Sequence, residues 1–267
     1  MNLILLYDHD FITPTRVRLT DRRLIHIQDI LKAEGGQSLT VGKINGLMGQ
    51  GEVVSKNNVA IELEVKLDQK PPEALPLTVI LALPRPPMFK RILFSVAMLG
   101  IKKIIVLNFN RVEKSLWNSS SLKPEAITEQ LVLGLEQAKD TVLPEVIIKK
   151  GFKPFVQDEL PALIKGKQAL VAHPEKGFVP SPKGPIPSTS QGRLKCGENE
   201  NRGNENRGQN RGENRGQLPI LLVIGPEGGI IDYEIELLKA AGCQLMDLGP
   251  RILRTESVLP LLVGKLF

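Results

Sequence analysis

"LLVIGPEGGIIDYE", residues 221–234, runs four apolar residues straight into Gly-Pro-Glu-Gly-Gly and then into the opening turn of a helix. Glycines let backbone N–H groups approach a bound molecule, and a helix N-terminus carries unpaired donors, so the turn is a candidate ligand cradle. Two phosphate-binding versions are excluded: no lysine follows as GxxxxGK[ST] demands, and the glycines are not spaced as in GxGxxG. Glu227 would repel a polyphosphate, so a neutral or cationic ligand suits the turn better. A second reading needs no ligand. The glycines then merely supply positive φ, Asp232 caps the helix, and Glu234 and Glu236 sit on the positive end of its dipole.

Outward from this stretch the pattern repeats. From Leu77 onward, aliphatic runs such as "LTVILALP", "KKIIVLNF", "QALVAHP" and "PILLVIG" alternate with helical segments. Near-continuous apolar strands are expected where helices cover both faces of a mostly parallel sheet, so the fold class is α/β. Ligands of such sheets bind at the carboxyl ends of the strands. Four loops leave those ends: "PRPP" at 84–87, "FNRVEK" at 109–114, "GPEGG" at 225–229 and "GPRILRTES" at 249–257. Residues 1–68 instead hold short β-rich runs and one helical stretch, "RRLIHIQDILKAEGG", and predict a small β-barrel-like domain. "DQKPPEALP" breaks regular structure, which places a linker at 69–76 and a second domain at 77–267.

The chain has 267 residues, room for two domains, and only 4% aromatic residues, so its core is aliphatic. Without a charged-then-apolar leader or an apolar run near 18 residues, neither secretion nor membrane insertion is predicted, and a cytoplasmic location is the default. Two distant cysteines, no CxxC and three histidines argue against a disulfide framework and against a metal site. The net charge of +6 suggests an anionic partner, but about half of it comes from residues 181–217. Within that segment, "GENENRGNENRGQNRGENRGQ" repeats NRG four times with nothing apolar to bury, so an insertion at about 178–217 is predicted to be disordered. Arg-Gly tracts sometimes bind RNA in that state, and an inert surface insertion is the simpler reading.

"VIGPEGG", followed by one helix, one strand and "LGPRILRTES", resembles the paired C-terminal motifs of the 16S ribosomal RNA uridine N3-methyltransferases of the SPOUT superfamily. "WNSSSLKPEAITEQLVLGLEQAKDTVLPEV" and "FKPFVQDELPALIKGKQALVAHPE" extend the resemblance, and residues 1–68 are similar to the family's PUA-like, RNA-binding barrel. The resemblance implies a C-terminal trefoil knot, a bent S-adenosylmethionine in a pocket made by the knotted loops, and a homodimer. It implies methylation of uridine N3 in 16S ribosomal RNA within the small ribosomal subunit. A sulfonium-bearing, phosphate-free ligand agrees with a carboxylate in the first bend.

By this resemblance Gly225, Glu227, Gly228 and Gly229 form one wall of the cofactor pocket, and Leu248, Gly249, Pro250, Arg251, Ile252 and Leu253 the other, with main-chain groups meeting the adenine edge. His173 is placed nearby, a structural histidine being the alternative. Methyl transfer to N3 requires loss of the imide proton, stabilisation of the resulting anion, and a base that is unpaired or flipped from its stack. Arg254 is the first candidate for the anion, then Arg251 and Arg111; their structural reading is pairing with carboxylates, Glu256 lying close to Arg254. Glu256 is also a candidate proton acceptor, while Thr255 or Ser257 reads as a cap of the last helix. Glu136 with Lys139, and Gln137 with Asp140, share helical spacing; the resemblance brings them to the rim of the active site, and an ordinary solvated face is the simpler reading. Arg16, Arg18, Arg22 and Arg23 are candidate RNA phosphate contacts.

The sequence departs from the family pattern in three places. "LFSVAMLG" lacks the lysine, threonine and glutamate usual before Leu-Gly, "RTESV" replaces Thr-Glu-Thr-Ala, and Pro260 leaves a final helix of about two turns. Two other functions stay open: an RNA-binding ribosome assembly factor that keeps the fold without the chemistry, and a SPOUT enzyme with another RNA target, such as a ribose.

Overall fold

The structure is a computed structural model, and it describes residues 2–173, 218–249 and 253–267. The predicted insertion at about 178–217 and the site candidates Pro250, Arg251 and Ile252 lie outside the described residues.

The N-terminal part is a curled five-stranded sheet in the order β1-β3-β4-β5-β2. Its strands are β1 (Ile4–Leu6), β2 (Arg16–Leu19), β3 (Ser38–Lys43), β4 (Met48–Lys56) and β5 (Ile61–Gln69). β1 and β3 run parallel and the other pairs antiparallel. β4 and β5 alternate buried and exposed side chains, the mark of a sheet with one wet face. The helical stretch is a short α1 (Arg22–Ile25) that widens into a π turn, His26–Leu31, and ends on left-handed Lys32.

The larger part is a six-stranded sheet, parallel throughout, in the order β11-β9-β10-β6-β7-β8. It comprises β6 (Leu75–Ala82), β7 (Ile101–Leu107), β8 (Glu145–Lys149), β9 (Gln168–Ala172), β10 (Ile220–Ile224) and β11 (Gln244–Met246). Every residue of β10 is buried, as the apolar run "ILLVI" requires for a central strand. The helices are α2 (Pro86–Met98), α3 (Pro124–Ala138), α4 (Phe152–Pro154), α5 (Leu160–Ile164), α6 (Asp232–Ala240) and α7 (Thr255–Leu266). A π turn, Phe155–Glu159, joins α4 to α5. The sheet flanked by helices and the barrel-like second sheet agree with the α/β reading; the trefoil knot that the resemblance implies is a call on a region that includes residues 250–252, which lie outside the described residues.

The two parts share β1. Ile4 and Leu6 belong to the barrel core, whereas Leu3 and Leu5 belong to the core of the large sheet. Strand alternation thus lets one short segment serve two cores. Backbone bonds tie the junction: the N–H groups of Asn2 and Leu3 donate to the Glu136 carbonyl at 2.9 and 3.0 Å, and Asn45 donates to the Thr141 carbonyl at 2.8 Å.

Two expectations are corrected here. The solvated face around Glu136 and Asp140 is instead buried, at 1% and 2% exposure. Glu136 accepts two hydrogen bonds from Arg22, at 2.8 and 3.0 Å, and Asp140 pairs with Lys102 at 2.5 Å. Each carboxylate is paid for by a cation from another element, which the spacing along one helix does not reveal. The final helix is also longer than two turns: α7 has 12 residues and carries Pro260 in its interior.

Candidate active site

Parallel register assembles the site. Ile224 of β10 pairs with Ala172 of β9 and with Leu81 of β6, Ala172 pairs with Met246 of β11, and Ala82 pairs with Leu107 of β7. Five strands therefore end at one edge, and the loops that follow them gather there. The chain leaves β6 toward β7 and leaves β10 in the other direction, toward β11 beyond β9. The bend after β10 thus sits at the point where strand order reverses, the usual crevice of an open parallel sheet.

Both Gly-Pro bends flank the end of β9. Between them lies half-buried His173, whose N–H donates to the Met246 carbonyl at 3.2 Å. In the first bend the Gly229 N–H donates to the Pro226 carbonyl at 2.8 Å, and Gly229 has φ of 79°. Gly225 answers a close approach: a Cβ there would stand 2.4 Å from Cγ1 of buried Ile230. Glu227 and Gly228 are exposed. In the second bend the Asp247 carboxylate accepts from the Gly249 N–H at 3.2 Å, and Gly249 has φ of 94° with open space where a side chain would stand. Leu248 and Leu253 are half-buried and pack against the main core.

Arg111, in the loop after β7, reaches the first bend, where its Nη1 donates to the Gly228 carbonyl. Arg254 is exposed at the N-cap of α7, and its carbonyl accepts from the N–H groups of Ser257 and Val258. The capping residue is thus Arg254 rather than Thr255 or Ser257. Glu256 faces Arg91 of α2 at 3.6 Å rather than Arg254, and its Oε2 is buried without a hydrogen-bond partner among the described residues. The helix after the first bend starts at Asp232, with Ile231 as its cap, which corrects Asp232 as the N-cap. Glu234 is more than a partner for the helix dipole: it is 3% exposed and accepts from the N–H of Asn110 at 2.7 Å and of Ile231 at 3.3 Å.

The four barrel arginines separate. Arg16 pairs with Glu64 at 3.3 Å, Arg18 is exposed, and Arg22 is half-exposed on Glu136. Arg23 as an RNA contact is a correction. It is 2% exposed and bonds Asp10, Asp21 and the Leu5 carbonyl, with Tyr7's ring 5.2 Å away. Burial pushes its guanidinium down, but the two carboxylates outweigh that and hold it above the ordinary arginine value. Cys243 stands at the opposite end of β11 from the bends, and burial raises its thiol to about 11, so it supplies no nucleophile.

Sequence reasoning missed the roles of Arg91, Asn110, Asp247 and Glu234. Only Glu234 had a signal, its place in the first helical turn, where carboxylates often reach back to the cap. Among the described residues, no group of three or more His, Cys, Asp or Glu is placed to hold a metal ion, and no helix is long and apolar enough to cross a membrane.

Strand order, register and bends define an α/β protein that carries a small β barrel and whose glycine-rich loops converge at the carboxyl edge of a parallel sheet. The chain belongs to the RNA methyltransferase domain family, whose profile matches residues 71–266. It is 26% identical over 259 residues to the ribosomal RNA small subunit methyltransferase E of Treponema pallidum, covering 96% of this chain and 87% of that protein. A Borreliella burgdorferi protein, ribosomal RNA small subunit methyltransferase E 1, is 28% identical over 162 residues, 60% of this chain and 67% of its own. Among solved structures, the fold matches a ribosomal RNA small subunit methyltransferase E from Neisseria gonorrhoeae bound to S-adenosyl methionine, with TM-score 0.62 and 18% identity over 98% of this chain and 96% of that one. A Legionella pneumophila protein in complex with the cofactor SAM matches with TM-score 0.65 and 20% identity, over 100% and 97% of the two chains.

Proposed function

We propose that this protein transfers a methyl group from S-adenosylmethionine to N3 of a uridine in 16S ribosomal RNA, acting in the cytoplasm on the small ribosomal subunit, as a homodimer with a knotted C-terminal region. The observation that carries the reading is the flanking of one strand end by both Gly-Pro bends, within a chain of the RNA methyltransferase family.

The residues present fit the cofactor. Bends with glycines at positive φ offer main-chain donors and acceptors without side chains in the way, and Leu248 and Leu253 supply apolar surface for a ring. Glu227 is an exposed carboxylate on the bend, the charge that a sulfonium or ammonium prefers. S-adenosylmethionine supplies an electrophilic methyl when bound, and the chain's own work is to hold, align and manage charge. We assign Gly225, Glu227, Gly228, Gly229, Leu248, Gly249, Pro250, Arg251, Ile252, Leu253 and His173 to holding it. Alignment alone is worth roughly 7–11 kcal/mol when reacting atoms are held near attack distance. Arg254, exposed at the start of α7, is assigned to the negative charge that develops on the uracil, with Arg111 of the β7 loop as a second cation for it. Glu256, two positions on, carries an oxygen with unspent hydrogen-bonding capacity and is assigned the N3 proton. Arg16, Arg18 and Arg22 position the RNA through phosphates.

Nucleoside mass spectrometry of 16S ribosomal RNA tests the reading. A deletion strain is expected to lack one N3-methyluridine, wild-type complementation to restore it, and Arg254→Ala to leave it absent while the purified variant still binds S-adenosylmethionine. Persistence of N3-methyluridine in the deletion strain would reject the substrate, and loss of a ribose methyl there would favour the other specificity.

A further inference from the structure

We infer that Glu234 is a positioning residue: with Arg111 it forms a reciprocal latch that fixes the first Gly-Pro bend in its working geometry, an inference that rests on the function just proposed. β10 and β7 are not neighbours, because β6 lies between them. Strands two places apart in a sheet stand about 10 Å from each other, so their trailing loops need a bridge to move together. Two contacts cross that gap in opposite senses. From the β7 loop, the Arg111 side chain donates to the main chain of the bend at Gly228. From the helix after the bend, the Glu234 side chain accepts from the main chain of the β7 loop at Asn110, 2.7 Å away.

Glu234 also accepts from Ile231, so its two carboxyl oxygens serve donors on both loops. The side chain is 3% exposed although Asn110 itself is exposed, so the bridge runs underneath the rim rather than over it. Gly228 completes the fit, since a Cβ there would stand 3.3 Å from Cδ of Arg111. A site that reads its ligand through main-chain atoms has no side chain to readjust, so its affinity depends on how firmly the bend is held.

Glu234→Gln is the informative variant. It preserves shape but turns an NH2 toward one of two N–H donors, so one bond is lost. S-adenosylmethionine affinity, measured by calorimetry, is expected to fall about tenfold, while affinity for a 16S ribosomal RNA fragment stays within about twofold. A purely structural role would move both together or neither. Amide hydrogen exchange on the wild-type chain supplies a test that needs no variant: the exposed-loop amide of Asn110 is expected to exchange as slowly as strand amides. Fast exchange at Asn110, or unchanged cofactor affinity in a folded Glu234→Gln, would overturn the latch and leave the functional reading standing. A wild-type chain that takes up no S-adenosylmethionine would overturn the functional reading and the latch with it.

Discussion

Arg23 and Arg18 stand on neighbouring elements of one small barrel and meet opposite fates. Arg23 is enclosed by Asp10 and Asp21, with bonds of 2.6 to 2.8 Å, so removing it leaves buried Asp10 without its guanidinium partner and with the Tyr7 N–H as its remaining hydrogen-bond donor. Arg23→Ala is expected to destabilise the protein by about 3–5 kcal/mol in denaturant unfolding, whereas Arg18→Ala stays within about 0.5 kcal/mol. Equal, small effects would show that the triad is solvated. The same triad sets an acid limit. Burial pushes the Asp21 carboxyl up, but hydrogen bonds and charge from Arg23 prevail and hold it below its ordinary value. A depressed folded-state value adds stability that is present above the unfolded value near pH 4 and lost as pH falls through the folded one, so Arg23→Ala should flatten that slope. Sequence could not separate these arginines. Their charge is legible in the chain, but whether a carboxylate from another element encloses it is decided by folding. Glu136 and Asp140 teach the same lesson from the acidic side.

Elements were more legible than residues. The central strands β6, β7 and β10 of the parallel sheet show as aliphatic runs because both of their faces are covered, and the barrel strands show as alternation because one face is wet. The π turn at His26–Leu31 and the length of α7 were not legible. Pro260 reads as a breaker, yet the helix continues past it and gives up only the bond its missing N–H would have made to Glu256. At the first bend the glycine signal was legible but its cause was divided. Gly229 needs a positive φ, whereas Gly225 needs the absence of a side chain against Ile230. Gly225→Ala is therefore expected to cost about 1–3 kcal/mol in thermal or denaturant unfolding, and Ile230→Ala in the same chain should lower the added cost by making room. Strict additivity of the two substitutions would place the strain elsewhere.

At the scale of the whole molecule, two cores share β1 and a row of junction bonds to the C-terminal end of α3 and the turn into β8, so the barrel is held as a fixed neighbour of the large sheet. That arrangement follows from contacts across more than a hundred residues, such as Leu3 with Glu136, which no local pattern announces. The convergence of the bends was likewise not a property of periodicity; paired motifs at a family-like separation pointed to it, and parallel register realises it. The central claim is that the two bends beside β9 together hold the cofactor. Amide chemical-shift mapping during titration with S-adenosylmethionine tests it most directly. The account predicts the largest shifts at His173, at Gly225 and residues 227–229, and at residues 247–249 and Leu253. Shifts confined to one bend, or centred on the barrel, would contradict it.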